Sequence, residues 1–134
     1  AGGNLRAALS QYGRAYRVAG DGKQSLAVIQ TVAEAVRKLP NRPELPEDAR
    51  RYGVQAASLV QNKKYTEAIS TYDQALDVAP WWPEGHFNRA LLAAQESRFA
   101  EAITSMKSYL ALAANGSDAR AAQDKVYEWE LKAK

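Results

Sequence analysis

His86 is the single histidine of the chain, and there is no cysteine. Between them these two counts remove disulfides, thiolate nucleophiles, thiolate zinc sites, Fe–S clusters and histidine-only metal centres. As a general base, His86 would need a nucleophile and an orienting partner within hydrogen-bond reach. No recognisable pattern supplies either, so it reads as a packed histidine beside Trp82 and Phe87. Gly20-Asp21-Gly22-Lys23 suggests a phosphate loop, yet the first glycine of that pattern is missing and Gln24 follows the lysine where Ser or Thr is required. It is expected to be a turn. Glu128 and Glu130 are two residues apart and point to different sides of a helix. Asn115-Gly116-Ser117 fits a glycosylation acceptor, but a helix stop followed by a Ser117 N-cap accounts for it. No cofactor, metal site or small-molecule substrate is expected, and the chain is not expected to be an enzyme.

The elements that carry these residues follow from composition and pattern. The 134 residues are 46% hydrophobic and 25% charged, as in one globular domain. No stretch is apolar and uninterrupted enough to span a bilayer. The chain begins with Ala1, so a trimmed chain is expected. No apolar leader segment is present, and a soluble protein is expected, cytoplasmic or periplasmic. Net charge is +3, unevenly spread. Residues 1–42 carry seven basic residues (Arg6, Arg14, Arg17, Lys23, Arg37, Lys38, Arg42) against Asp21 and Glu34, whereas residues 43–134 are slightly acidic. The basic residues stand singly, with only Tyr12 and Tyr16 interleaved, which suits a solvated helix face better than a nucleic-acid surface.

Apolar residues recur at three- and four-residue spacing along the whole chain, and no segment alternates with period two. The chain is therefore expected to be all-α, with about seven helices. Helices are expected over 4–19, with Leu5, Leu9, Tyr12 and Tyr16, and over 23–39, with Leu26, Ile29, Val32, Ala33, Val36 and Leu39. Together they form an N-terminal hairpin over 4–39. Pro40, Pro43 and Pro46 make residues 40–46 a linker, because proline lacks a backbone donor and disfavours helix before it. Further helices are expected over about 46–61, 65–78, 83–96, 99–113 and 118–132.

Shifting the sequence by 34 places aligns Tyr65-Thr66-Glu67-Ala68-Ile69-Ser70 with Phe99-Ala100-Glu101-Ala102-Ile103-Thr104. The same shift pairs Ala56 with Ala90, Gln61 with Gln95 and Leu76 with Leu110. In this period and in its helix–turn–helix content the chain resembles the tetratricopeptide repeat family. A repeat over 49–82 matches at Tyr52, Ala56, Leu59, Tyr65, Ala68, Tyr72, Ala75 and Pro80, and departs at Gln55. A repeat over 83–116 matches at Ala90, Phe99, Ala102 and Met106, and departs at His86, Arg89, Tyr109 and Ala114. Residues 117–132 suit a capping helix, with Val126, Trp129 and Leu131 for contact. The hairpin over 4–39 stands where a preceding repeat would lie, as a degenerate repeat or cap. Of the adjacent tryptophans, one is expected to wedge between hairpins and the other to reach a groove edge.

The resemblance implies a stack of antiparallel helix hairpins, an α–α superhelix whose first helices line a concave groove for a peptide or partner helix. Carried onto this sequence, the groove would comprise Arg50, Gly53, Val54, Ala57, Val60, Trp82, Glu84, Phe87, Asn88, Leu91 and Gln95. Phe87 and Leu91 would be its anchors, and the Asn88 amide would hold a backbone. The carboxylate clamp of the co-chaperone subgroup is not implied. Only Asn88 matches it, while Gly53, Ala57, Asp118 and Ala122 occupy its other positions. The expected function is thus a protein–protein interaction module, an adaptor or scaffold. The alternative is a structural or regulatory segment that stacks on a neighbouring domain of its own chain or self-associates, and a rival reading of the groove packs Phe87 and Leu91 against the chain's own N-terminal hairpin or capping helix.

Overall fold

The computed structural model describes residues 22–134 and is all-α. Six helices follow one another: α1 (Gly22–Arg37), α2 (Glu47–Gln61), α3 (Tyr65–Val78), α4 (Pro83–Gln95), α5 (Phe99–Leu112) and α6 (Ala119–Lys132). The expected helix over 4–19 and the Gly20-Asp21 break lie outside the described residues. From α2 to α6 each helix packs on the next, giving a stack of antiparallel hairpins. Among the described residues no helix is long and apolar enough to cross a membrane.

Element ends follow local chemistry. Pro46 caps α2, with Glu47 and Asp48 in its first turn, and Pro83 opens α4. The 34-residue recurrence extends to backbone conformation. Lys63 and Ser97 occupy equivalent turns and are, among the described residues, the two non-glycine residues of positive φ, at 60° and 58°. In both turns the next residue's N–H, of Lys64 or Arg98, returns to a carbonyl of the preceding helix, Leu59 or Ala93. α6 begins later than its sequence suggests: Asp118 rather than Ser117 is the N-cap residue, and its side chain makes no capping bond.

Small residues allow the close approach of the helices. Ala56, Ala68, Ala75, Ala90 and Ala102 are all completely buried. Around them lie three apolar clusters. One joins α4, α5 and α6 through Ala90, Met106, Tyr109, Val126 and Trp129. Another joins α2, α3 and α4 through Ala56, Ile69, Tyr72 and Leu92. The third brings Ile29 and Val32 of α1 onto Ala49, Ala75, Ala79 and Trp81, with Ala111 and Leu112 beside them. The most extensive helix contact of α1 is with α5, the second helix of the second hairpin. It runs across the α3–α5 side of the stack, not solely beside α2 as a preceding repeat would.

Arg89 ties three helices together by charge. Its Nε donates to Asp73 Oδ1 of α3 at 2.6 Å, and its terminal nitrogens donate to Ser105 Oγ at 2.9 Å and Glu101 Oε1 at 3.2 Å of α5. Arg98 donates two hydrogen bonds to the same Glu101 carboxylate. The bond from Arg98 holds that carboxyl below the usual range. Partial burial opposes the shift and the Arg89 charge reinforces it. The Arg89 side chain is nearly buried, so its removal strands Asp73 and Ser105. We expect Arg89→Ala to cost about 2–3 kcal/mol in urea denaturation. Arg89→Lys should recover only a minor part, because an ammonium cannot span three acceptors in a fork.

Candidate functional site

The residues expected to line a groove fall into two groups. Val54 and Leu91 are solvent-exposed, at 60% and 37%, and Ala57 and Gln95 are exposed beside them. The others are wholly or partly engaged within the chain. Arg50 donates to Glu47 one turn away, and Glu84 lies 3.9 Å from Arg42 of the linker. Val60 is half-buried against the α2–α4 cluster. Phe87 packs edge-on to the Tyr109 ring of α5, 5.0 Å between centroids. Asn88 is half-buried, and its side chain offsets part of the rise that burial imposes on the Tyr72 hydroxyl pKa. Phe87 is therefore engaged within the stack, with its ring contact on α5.

Gly53 is covered by Trp82. A Cβ built on Gly53 would lie 3.0 Å from the far edge of the Trp82 indole, and one on Gly85 would lie 2.6 Å from Cε3 of the same ring. The indole thus fills the gap between α2 and α4, tilted against Tyr72 at 6.3 Å. Trp81 turns the other way and is buried beneath α1. Both tryptophans touch the cluster under α1, but Trp81 is buried in it while half-buried Trp82 also reaches the α2–α4 cluster. We expect Gly85→Ala to destabilise the chain by about 1–3 kcal/mol through overpacking. Gly53→Ala should come out near neutral, its tight contact offset by the roughly 1 kcal/mol that alanine gains over glycine in a helix. Trp82→Phe should restore part of the loss in the Gly85→Ala background, all three read by thermal denaturation.

His86 is completely buried, and its Nε2 lies 2.7 Å from the Pro80 carbonyl oxygen, to which the neutral ring donates. Burial, offset in part by the Pro80 bond, lowers its pKa to about 4, and the Arg89 charge adds to the lowering. The imidazole is neutral at pH 7 and fastens the start of α4 to the junction that precedes it. An unfolded chain, whose histidine titrates at its ordinary 6.5, binds a proton sooner. The contribution of His86 is therefore full above pH 6.5 and is lost as pH falls toward 4, by ~3 kcal/mol in all. Urea midpoints from pH 7 to 4 should show this slope in wild type. His86→Gln, whose amide can still donate to Pro80, should lack it.

One set of residues escaped the expectation from sequence. Tyr127 and Leu131 of α6 are 62% and 74% exposed. Leu131 was expected to pack as part of the cap, but the buried stripe of α6 is Ala122, Val126 and Trp129. At about 100° per residue, Leu131 lies some 200° around the helix from Trp129. Taking buried Ala56, Ala90 and Val126 as equivalent reference points on α2, α4 and α6, the exposed positions coincide. Ala57, Leu91 and Tyr127 each follow the reference by one residue. Val54 and Leu131 fall within about 60° of them on the same side. On α2, α4 and α6 alike, exposed apolar side chains thus lie at similar angles to a buried residue of the same helix. A helical-wheel comparison anchored on these residues carries the signal that counting apolar residues misses.

No protein-family model matches this chain, and no curated protein matches it. What fold and surface define is a class: an all-α stack of helical hairpins with a part-buried polar clasp and exposed apolar side chains on α2, α4 and α6.

Proposed function

We propose that the chain is a non-enzymatic, tetratricopeptide-like interaction module that holds a peptide or partner helix against the side shared by α2, α4 and α6. The exposure of Val54, Leu91, Tyr127 and Leu131 in one sector of three alternate helices carries this reading. Folding gains little from side chains left in water, and apolar side chains gathered on one side favour a partner that covers them. Polar groups frame this strip. Arg50, Glu84 and Arg120 stand at the N-terminal ends of the helices, and Gln61 and Gln95 lie beside the apolar rows. A ligand with apolar side chains and a hydrogen-bonding backbone fits this lining.

The working residues of the proposal are the exposed ones rather than Phe87 and Asn88, whose truncation would injure the stack. A triple Val54→Ser, Leu91→Ser, Tyr127→Ser variant should keep wild-type helicity and lose no more than about 1 kcal/mol of stability, since the altered side chains are surface ones. Capture from a lysate of the source organism, read by mass spectrometry and repeated by titration with the purified partner, should show binding to wild type weakened at least tenfold in the variant. Equal binding by both proteins would overturn the proposal.

A further inference from the structure

We propose that Asn115 is a site of spontaneous chemical modification: its side-chain amide is lost through attack by the Gly116 nitrogen, and the isoaspartyl product loosens the turn that leads into α6. No partner enters the reaction, so the proposal stands apart from the function proposed above.

Sequence and local structure single out this asparagine. Of the five asparagines in the chain, Asn115 alone is followed by glycine. Asn41, Asn62 and Asn88 precede Arg42, Lys63 and Arg89, whose side chains crowd the backbone nitrogen that would have to attack. Gly116 has no Cβ, and its nitrogen is open to approach. Asn88 also lies inside α4, where the helix engages the N–H that follows it. Residues 114–118, by contrast, are exposed and belong to no helix. The cap expected of Ser117 falls to Asp118, so the Asn115-Gly116-Ser117 motif is not spent on starting α6.

One backbone bond guards the site. Gly116 donates its N–H to the Ala113 carbonyl at 3.0 Å, closing a turn over Ala114 and Asn115. A Cβ built on Gly116 would lie 3.2 Å from that carbonyl oxygen and 3.7 Å from the Tyr109 hydroxyl, so the turn sits against the end of α5. The attacking nitrogen is engaged while the turn is closed and released when it opens. Exposed turns of this kind open at low free-energy cost, far below that of global unfolding.

In the open turn, the Gly116 nitrogen loses its proton to hydroxide and attacks Cγ of Asn115. A bond from nitrogen to Cγ forms, the side-chain amide group takes up a proton and leaves as ammonia, and a succinimide ring closes. Water then opens the ring on either side. Breaking the bond between nitrogen and Cγ leaves aspartate in an unaltered chain. Breaking the bond between nitrogen and the Asn115 main-chain carbonyl carbon leaves isoaspartate, whose main chain runs through Cβ and Cγ. One water is consumed and one ammonia released, with no change of oxidation state. Either product adds a carboxylate, but only isoaspartate lengthens the main chain. The extra atom falls inside the ring that the bond from Gly116 to Ala113 closes, so that turn cannot keep its geometry. The first turn of α6 loses its fixed entry, while Val126 and Trp129 keep the rest of the helix on the stack.

The purified full-length chain, kept at physiological temperature in heavy-oxygen water, tests this by peptide mapping with mass spectrometry. Asn115 should convert at least about tenfold faster than Asn41 or Asn62, because only its attacking nitrogen belongs to a glycine. The product should carry one heavy oxygen, and the rate should rise from neutral to mildly alkaline pH. Gly116→Ala should slow the conversion severalfold. A short peptide of residues 113–118 serves as the clock. If the peptide converts while Asn115 of the folded chain stays amidated as long as Asn41 and Asn62, the closed turn protects it and the proposal is overturned. The isoaspartyl fraction, separated by chromatography, should show faster amide exchange over residues 116–122 than a fresh Asn115→Asp chain, with α2 to α4 unchanged. Equal exchange in these two chains, which share the added charge, would also overturn the proposal.

Discussion

The stack depends on a single fit. The Trp82 indole lies between α2 and α4 chiefly because residue 85 has no side chain: a Cβ there would meet the ring at 2.6 Å, whereas one at residue 53 would make a tight contact at 3.0 Å that a small shift relieves. Everything at the junction between the hairpins is arranged around it. Trp81, its neighbour, is thrown to the opposite side and becomes part of the floor under α1. Pro80 presents its carbonyl to His86, and three residues further along α4 Arg89 reaches back to Asp73. Within ten residues the chain thus sets an aromatic wedge, a buried neutral imidazole and a charged clasp. The wedge supplies dispersion and apolar burial, while the polar pair fixes register, since buried donors tolerate few alternative geometries.

Much of this fold was legible in the sequence because its punctuation is strong. Prolines at 46 and 83 mark helix starts, and the 34-residue recurrence identifies two hairpins whose turns do match in conformation. The five alanines expected at close crossings are the five found buried. Helix faces were less legible. An amphipathic helix announces that one side will be buried but not against what, so nothing in Ile29, Val32 and Val36 pointed to α5. The Arg89 clasp was equally hidden. Asp73, Glu101 and Ser105 lie 12 to 16 residues away, and only the packed stack brings them within hydrogen-bond distance.

The helices that would carry the expected groove were legible, but not which of its residues stay exposed. Phe87 and Asn88 are adjacent to open positions on α4, yet Tyr109 and Tyr72 lie within reach and hold them. Both tyrosines come from the helices that α4 packs between, so their claim on α4 depends on a geometry the sequence does not state. Leu131 failed in the opposite direction. An apolar residue near a helix end suggests packing, but its angular distance from Trp129 turns it into solvent.

The two sides of the stack answer different physical demands. Under α1 the surface is made of alanines with Trp81 and Leu112, and suits a helix whose own buried face is short and aliphatic. On the side of α2, α4 and α6 the exposed groups are larger and more varied, with an aromatic ring at Tyr127 and polar groups around them. A surface of the second kind can discriminate by contact alone, because amides and charges at defined places penalise ligands that leave them unpaired. The same hairpin architecture accommodates both, because Trp82, His86 and Arg89 hold the helices together without drawing on the groups that remain exposed on that second side.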